Sequence, residues 1–186
     1  MTVLVRHAES EWNRAFGTYR IDAGITDPGL TPTGVGQARE LADRLLGSGI
    51  GRIVASPYRR TLQTAAIVAE ALEVPVEVEP LVRERCAFSC DQGSAPEELA
   101  REWPDLDLGG VGPCWWGGAI ESVESLGARC ALFRERLRRR PDRDTLLVVS
   151  HWGFIRGLTG LEVKNAALVR LDDDAPADHS PGGAFA

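Results

Sequence analysis

Three short runs of apolar residues stand out along the chain, at positions 2–5, 52–55 and 145–149. Each is rich in Val, Ile or Leu and lacks polar alternation, the pattern of a strand covered on both faces in a parallel sheet. Residues 74–78 carry a weaker version, and residues 166–171 are a candidate fifth strand. Between these runs the apolar positions change to a spacing of three and four. Val35, Ala38, Leu41, Ala42 and Leu45 form one helical stripe, entered at Thr31-Pro32 or Thr33 and ended at Gly47. Leu62, Ala65, Ala66, Ala69 and Leu72 form a second. Ahead of it, Ser56-Pro57 offers an N-cap hydroxyl and a proline at the first helical position. Val123, Leu126, Cys130, Phe133 and Leu137 form a third. It closes on the basic run 138–140 before Pro141, where cations suit the negative end of a helix dipole.

Strand and helix alternate, which predicts an α/β architecture: a three-layer, mainly parallel, doubly wound sheet flanked by helices. A single domain over residues 1–171 is expected. Residues 86–118 break the rhythm, with glycines, prolines, Trp103, Trp115 and Trp116, and one short helix expected around 96–103. A stretch of this length reads either as a lid or substrate loop inserted in the domain or as a packed surface excursion. Residues 172–186 turn acidic and then Pro/Gly-rich, and a mobile tail is expected there. Neither His179 nor the run Asp172, Asp173 and Asp174 is assigned a function.

Composition narrows the classes. Hydrophobic residues make up 44% and charged residues 26% of 186, ordinary for a globular chain. The formal net charge is −6, which argues against a nucleic-acid-binding surface. The four cysteines, Cys86, Cys90, Cys114 and Cys130, form no CxxC pair, and with the histidines they make no complete zinc site, so they read as reduced thiols. The first apolar run is too short for a signal sequence, and no stretch is long enough to span a bilayer. A cytoplasmic protein without membrane partners is expected.

The chemistry collects at strand ends. The first strand runs into Arg6-His7, the second into Ser56-Pro57-Tyr58-Arg59-Arg60, and the third into Ser150-His151. Ligands of open α/β sheets bind at the carboxyl ends of the strands, so two of the chain's three histidines and at least two arginines should converge. Those residue types suit a phosphate monoester. Neutral imidazole attacks a dianion without charge repulsion and splits one difficult step into two. Fixed cations stabilise the charge spread over the transferring phosphoryl group, and arginine does this with planar bidentate donors. Arg59 is expected in the first helical turn, where free backbone N–H groups add to the anion field.

Four segments then resemble the histidine phosphatase (phosphoglycerate mutase-like) superfamily, branch 1. Residues 5–13, Val-Arg-His-Ala-Glu-Ser-Glu-Trp-Asn, are similar to its RHGE(S/T)xWN opening. Leu30-Thr31-Pro32-Thr33-Gly34-Val35-Gly36-Gln37-Ala38 resembles LTxxGxxQA, residues 56–64 resemble SPxxRxxQT, and residues 150–156 resemble SHGGxxR. The resemblance covers residues 3–156 in the family's order. It implies His7 as the phosphorylated nucleophile, Arg6, Arg59 and His151 around the phosphate, and Asn13 donating near the rim. It also implies a proton donor after the fourth strand. Glu84, in Leu81-Val82-Arg83-Glu84-Arg85, matches that position as general acid and base; a surface glutamate flanked by arginines is the alternative. Arg83 and Arg85 are read equally as substrate contacts or solvated cations.

Two departures accompany the match. Ala8 stands where the family has glycine, keeping the backbone carbonyl that orients the imidazole but adding bulk to the loop. Trp152 stands for the first glycine of SHGG and is expected to narrow the pocket. The implied activity is metal-independent hydrolysis of a small phosphorylated substrate, with no cofactor. The chain is shorter than typical mutases, which favours water as the final acceptor. A phosphoglycerate-type mutase and a non-catalytic phosphate-binding relative are the alternatives. The segment 34–39 mimics part of a dinucleotide fingerprint, but no strand precedes it and the third glycine is absent. No GxSxG or Walker A motif occurs. Nothing in the sequence specifies a particular substrate or an oligomeric state.

Overall fold

The central strand of the sheet is β4 (Leu146–Ser150), and all five of its residues are buried. Its apolar side chains, each worth about 1.5–3 kcal/mol when fully removed from water, hold two layers of helices against one sheet. In the computed structural model, which describes residues 1–171, the other strands are β1 (Val3–Arg6), β2 (Arg52–Ala55), β3 (Val76–Val78) and β5 (Leu168–Arg170). Their order is β3-β2-β4-β1-β5. Every pairing is parallel except that of β5, which runs antiparallel to β1 at the edge. The α/β architecture expected from the sequence is therefore present. The expected tail at 172–186 lies outside the described residues.

Six α-helices are found among the described residues: α1 (Glu11–Tyr19), α2 (Pro32–Leu45), α3 (Arg59–Leu72), α4 (Pro96–Glu102), α5 (Val123–Arg138) and α6 (Trp152–Thr159). None is long and apolar enough to cross a membrane. The three amphipathic stripes became α2, α3 and α5, with Thr31 capping α2 through its side chain as its position suggested. Two helices had no stripe to announce them. In α1 only Trp12 is buried, so its order comes from a capping box in which Ser10 and Asn13 satisfy each other's backbone N–H. In α6 the eight residues make little more than two turns.

One local expectation is corrected. The N-cap of α3 is Tyr58, not Ser56, and Pro57 lies outside the helix. The Ser56 hydroxyl is instead drawn inward, to Thr61 Oγ1 at 2.9 Å and His151 Nε2 at 2.6 Å.

Residues 86–118 hold α4 and a single 3-10 turn at Ser89–Asp91. Leu99, Val111 and Trp115 belong to the same apolar core as Val5, Ile53 and Tyr58. The Trp115 ring meets the edge of Tyr58 with centroids 4.5 Å apart, and its Nε1 donates to Ser94 O at 3.0 Å. Gly93 permits this seat, because a Cβ there would overlap the indole. The segment is thus packed against the sheet layer through its own side chains.

Register is what positions the chemistry. Arg6 pairs with Ser150 across β1 and β4, and Ala55 pairs with Val149 across β2 and β4. The residues that follow each pair, His7, His151 and Ser56, therefore emerge side by side at the carboxyl edge.

Candidate active site

His7 leaves β1 with its N–H donating to Ser150 O at 2.9 Å, and its side chain is almost fully buried. Its Nδ1 lies 2.7 Å from Ala8 O. A carbonyl can only accept, so Nδ1 carries the proton and the lone pair is on Nε2. Burial holds the His7 imidazole well below its ordinary pKa, and the charges of Arg60 and Arg6 push in the same direction. The ring is neutral at physiological pH, with its unprotonated nitrogen defined by the backbone. Ala8 supplies the carbonyl and is itself completely buried.

His151 follows β4 as the N-cap of α6, and its ring centroid is 5.2 Å from that of His7. Thr61 Oγ1 donates toward the carbonyls of Ser56 and Tyr58, so its oxygen accepts from the Ser56 hydroxyl. Ser56 Oγ in turn accepts from His151 Nε2–H. The chain of donors leaves His151 Nδ1 buried without a protein partner. Burial, then Arg60, then His7 hold this ring well below its ordinary pKa.

Two guanidinium groups act on this pair of rings. Arg6 donates through Nη1 to Val163 O at 3.0 Å, while its buried Nε has no hydrogen-bond partner. Arg60 is 2% exposed and stands 4.3 Å over the Tyr58 ring. It donates to Cys90 O at 2.7 Å and to Asp91 Oδ1 at 3.3 Å. Arg59, the arginine assigned to this place from sequence, points elsewhere. Its guanidinium meets Glu98 Oε1 at 2.6 Å and is bidentate with Glu102, tying α3 to α4. Its backbone N–H is also taken, by Asp27 Oδ1 at 3.0 Å, and so is not free for an anion. Successive helical residues are about 100° apart, so only one of two adjacent arginines can face the sheet edge. The spacing SPxxR, counted from Ser56, falls on Arg60, a signal present in the sequence.

Glu84 is half-buried, and its carboxyl is held at the N-terminus of α6. Oε2 accepts from Gly153 N at 3.1 Å, and Oε1 accepts from Phe154 N at 3.2 Å and Arg85 N at 2.8 Å. Three of about four lone-pair positions on the carboxyl are filled, leaving one on Oε2 for a proton. Burial raises the Glu84 pKa and the Asp91 charge adds to this, while the Gly153 and Arg85 N–H groups and the Arg60 charge oppose it. The carboxyl is thus held by backbone donors and not by the side chains of the arginines that flank it in sequence. Burial lowers the Arg6 pKa, and the Glu84 charge opposes that shift.

Asn13 Oδ1 accepts from Ser10 N at 3.2 Å and from Asn165 Nδ2 at 3.1 Å. Asn165 also donates to His7 O at 3.0 Å, so Asn13 is linked to the His7 loop. With Oδ1 occupied, the Asn13 amide nitrogen is the end left to donate. Arg83 forms an ion pair with Glu121 at 3.2 Å, and Arg85 Nε donates to Glu121 O at 2.9 Å. Trp152 opens α6 with its ring under the Arg156 guanidinium, 5.1 Å away.

Three contributors had no signal in the sequence. Asn165 sits in a connection without a motif. Asp91 receives Arg60 and also the N–H groups of Ala87 and Phe88. Asp27, held by the N–H groups of Arg59 and Ser94, has its pKa raised by burial.

The chain resembles known proteins over most of its length. The family model described as the histidine phosphatase superfamily (branch 1) matches residues 2–172. The chain is 33% identical over 195 residues to a probable phosphoglycerate mutase from Photorhabdus laumondii, covering 96% of this chain and 85% of that protein. It is 36% identical over 153 residues to a phosphoserine phosphatase from Hydrogenobacter thermophilus, covering 80% and 69%. Among solved structures, a phosphoserine phosphatase variant from Entamoeba histolytica in complex with phosphoserine superposes with a TM-score of 0.60 at 25% identity, over 90% of this chain and 89% of that one.

Proposed function

The chain belongs to the histidine phosphatase superfamily, branch 1, and we propose that it hydrolyses small phosphomonoesters through a phosphohistidine on His7. The observation that carries this reading is the fixed tautomer of His7. A buried neutral imidazole, its Nδ1–H committed to Ala8 O, offers Nε2 to phosphorus between two arginine charges.

In this reading Arg6, Arg60 and His151 bind the phosphoryl oxygens, and Arg60 takes the role first given to Arg59. Asn13 donates its amide N–H at the rim. His7 Nε2 attacks phosphorus while the bond to the ester oxygen breaks, and Glu84 delivers its proton to that leaving oxygen. The Glu84 carboxylate then removes a proton from water, whose oxygen displaces His7 from phosphorus and releases phosphate. Charge on the equatorial oxygens stays balanced by the guanidinium groups throughout. The phosphoserine phosphatase relatives support a small substrate carrying its phosphate on an alkyl oxygen.

Rapid quenching tests the proposal. An acid-labile phosphoenzyme should accumulate with wild type and be absent from His7→Ala. A His7→Ala protein with wild-type turnover would overturn it.

One observation favours a second reading, a mutase that returns the phosphoryl group to a bound product: the match to a probable phosphoglycerate mutase. Isomer exchange on phosphoglycerate, compared with phosphate release, separates the two.

A further inference from the structure

The segment that carries Glu84 has no regular hydrogen-bonded partner strand, because β3 ends at Val78 and a single 3-10 turn at Pro80–Val82 follows. Something else must hold its backbone, and one side chain does so. Arg129, on α5 and only 6% exposed, donates through Nη1 to Leu81 O at 2.8 Å and Arg83 O at 2.7 Å. Its Nη2 reaches Glu84 O at 3.4 Å. The remaining donors grip Glu121, with Nε on Oε1 at 3.0 Å and Nη2 on Oε2. All five N–H donors of the guanidinium are therefore used. The same group stands 5.3 Å from the Phe154 ring, on α6. Phe154 and Gly153 are the residues whose N–H groups hold the Glu84 carboxylate. Arg129 thus touches both halves of the Glu84 seat, the backbone that presents the side chain and the helix that receives it.

We propose that Arg129 is a positioning residue for Glu84, fixing the carboxyl where it can deliver a proton to the leaving oxygen. The inference rests on Glu84 being the acid, as set out above. A planar five-donor fork suits the task, since it binds two carbonyls of one segment and a carboxylate of another without rotating. Lysine would keep the charge but could not span these acceptors. Glu121 completes the device: it neutralises the buried cation and orients it.

Leaving-group dependence separates positioning from plain structural support. An aryl phosphate with an acidic phenol departs without protonation, whereas an alkyl phosphate needs the acid. Glu84→Gln should lose about 100-fold or more in kcat/KM on the alkyl phosphate and far less on the aryl phosphate, because kcat/KM reports formation of the phosphoenzyme and excludes the later water step that both substrates share. Arg129→Lys should show the same selectivity at about 10-fold or more, and Glu121→Gln the same in smaller degree. The alkaline limb of kcat/KM on the alkyl phosphate should also move to lower pH in Arg129→Lys, as Glu84 becomes more solvated. Thermal unfolding of each variant checks that it is folded, and Glu121→Gln carries the test if Arg129→Lys is not. Equal losses on both substrates in the Arg129 and Glu121 variants, with selectivity kept in Glu84→Gln, would overturn the positioning role alone. Absence of selectivity in Glu84→Gln would overturn the acid assignment and this inference with it.

Discussion

The Gly153 N–H donates to Glu84 Oε2 at 3.1 Å, and a Cβ on Gly153 would overlap Glu84 Oε1. The glycine is thus required by the close approach of a buried carboxyl to a helix terminus, not by backbone dihedral freedom. Gly153→Ala should push Glu84 out of its seat. Turnover of an alkyl phosphate is expected to fall about 10- to 100-fold while the protein remains folded, because displacements near an ångström have effects of this size. Steady-state kinetics beside a thermal melt would check it.

The neighbouring arginines make opposite predictions. Arg60→Ala removes a buried cation that acts on both imidazoles and should lower kcat/KM about 100- to 1000-fold. Arg59→Ala removes a partly exposed ion pair with α4 and should cost less than about 1 kcal/mol of stability, with kcat/KM within a few-fold of wild type. Parallel assays of the two single variants decide the assignment, and equal losses would sink it.

His151 gives a pH dependence. In the free protein burial keeps its pKa well below the ordinary value, and Nδ1 is unpartnered. A bound dianion raises that pKa, so binding takes up a proton and strengthens as pH falls. Sulfate, which remains a dianion across the range, should bind more tightly at about pH 6 than at about pH 8, with the slope flattened in His151→Asn. Calorimetry in buffers of different ionisation enthalpy would show the proton directly. Without ligand the sign reverses. Below about pH 6.5 the unfolded chain protonates His7 and His151 while the native one does not, so their contribution to stability is lost as pH falls. Glu84 and Asp27, with raised pKa values, act the other way: their contribution is present at low pH and lost as pH rises through those values.

Gly93 offers a prediction about residues 86–118. Gly93→Ala would force the Trp115 indole from its place beside Tyr58. A loss of about 1–3 kcal/mol in unfolding free energy is expected, typical of an overpacked core. Chemical denaturation measures it, and an unchanged midpoint would mean that the indole moves freely.

A metal-free mechanism predicts that prolonged dialysis against EDTA leaves phosphate release unchanged. A lasting loss that added metal restores would contradict it.

The order of residues is informative wherever the information is local. Apolar runs without alternation defined β1, β2 and β4, the stripes defined α2, α3 and α5, and the strand ends already brought His7 and His151 to one edge. Such periodicities reflect which face of each element meets the sheet, and every residue in them votes. The short helices α1 and α6 were silent because capping and a two-turn length leave almost no period to read.

Packing settled direction. Arg59 and Arg60 are adjacent and chemically identical, and the packing of α4 against α3 turned one to Glu98 and Glu102 and the other toward the histidines. Glu84 among its flanking arginines is equally consistent with a solvated surface. Its seat came from residues 69 and 70 positions away, Gly153 and Phe154, and from Arg129, 45 positions away. Motif and strand end are neighbours along the chain, so the order of residues already names the chemical groups of the site. The long-range packing decided which of them face one another, since side-chain orientation depends on neighbours that sequence distance does not reveal.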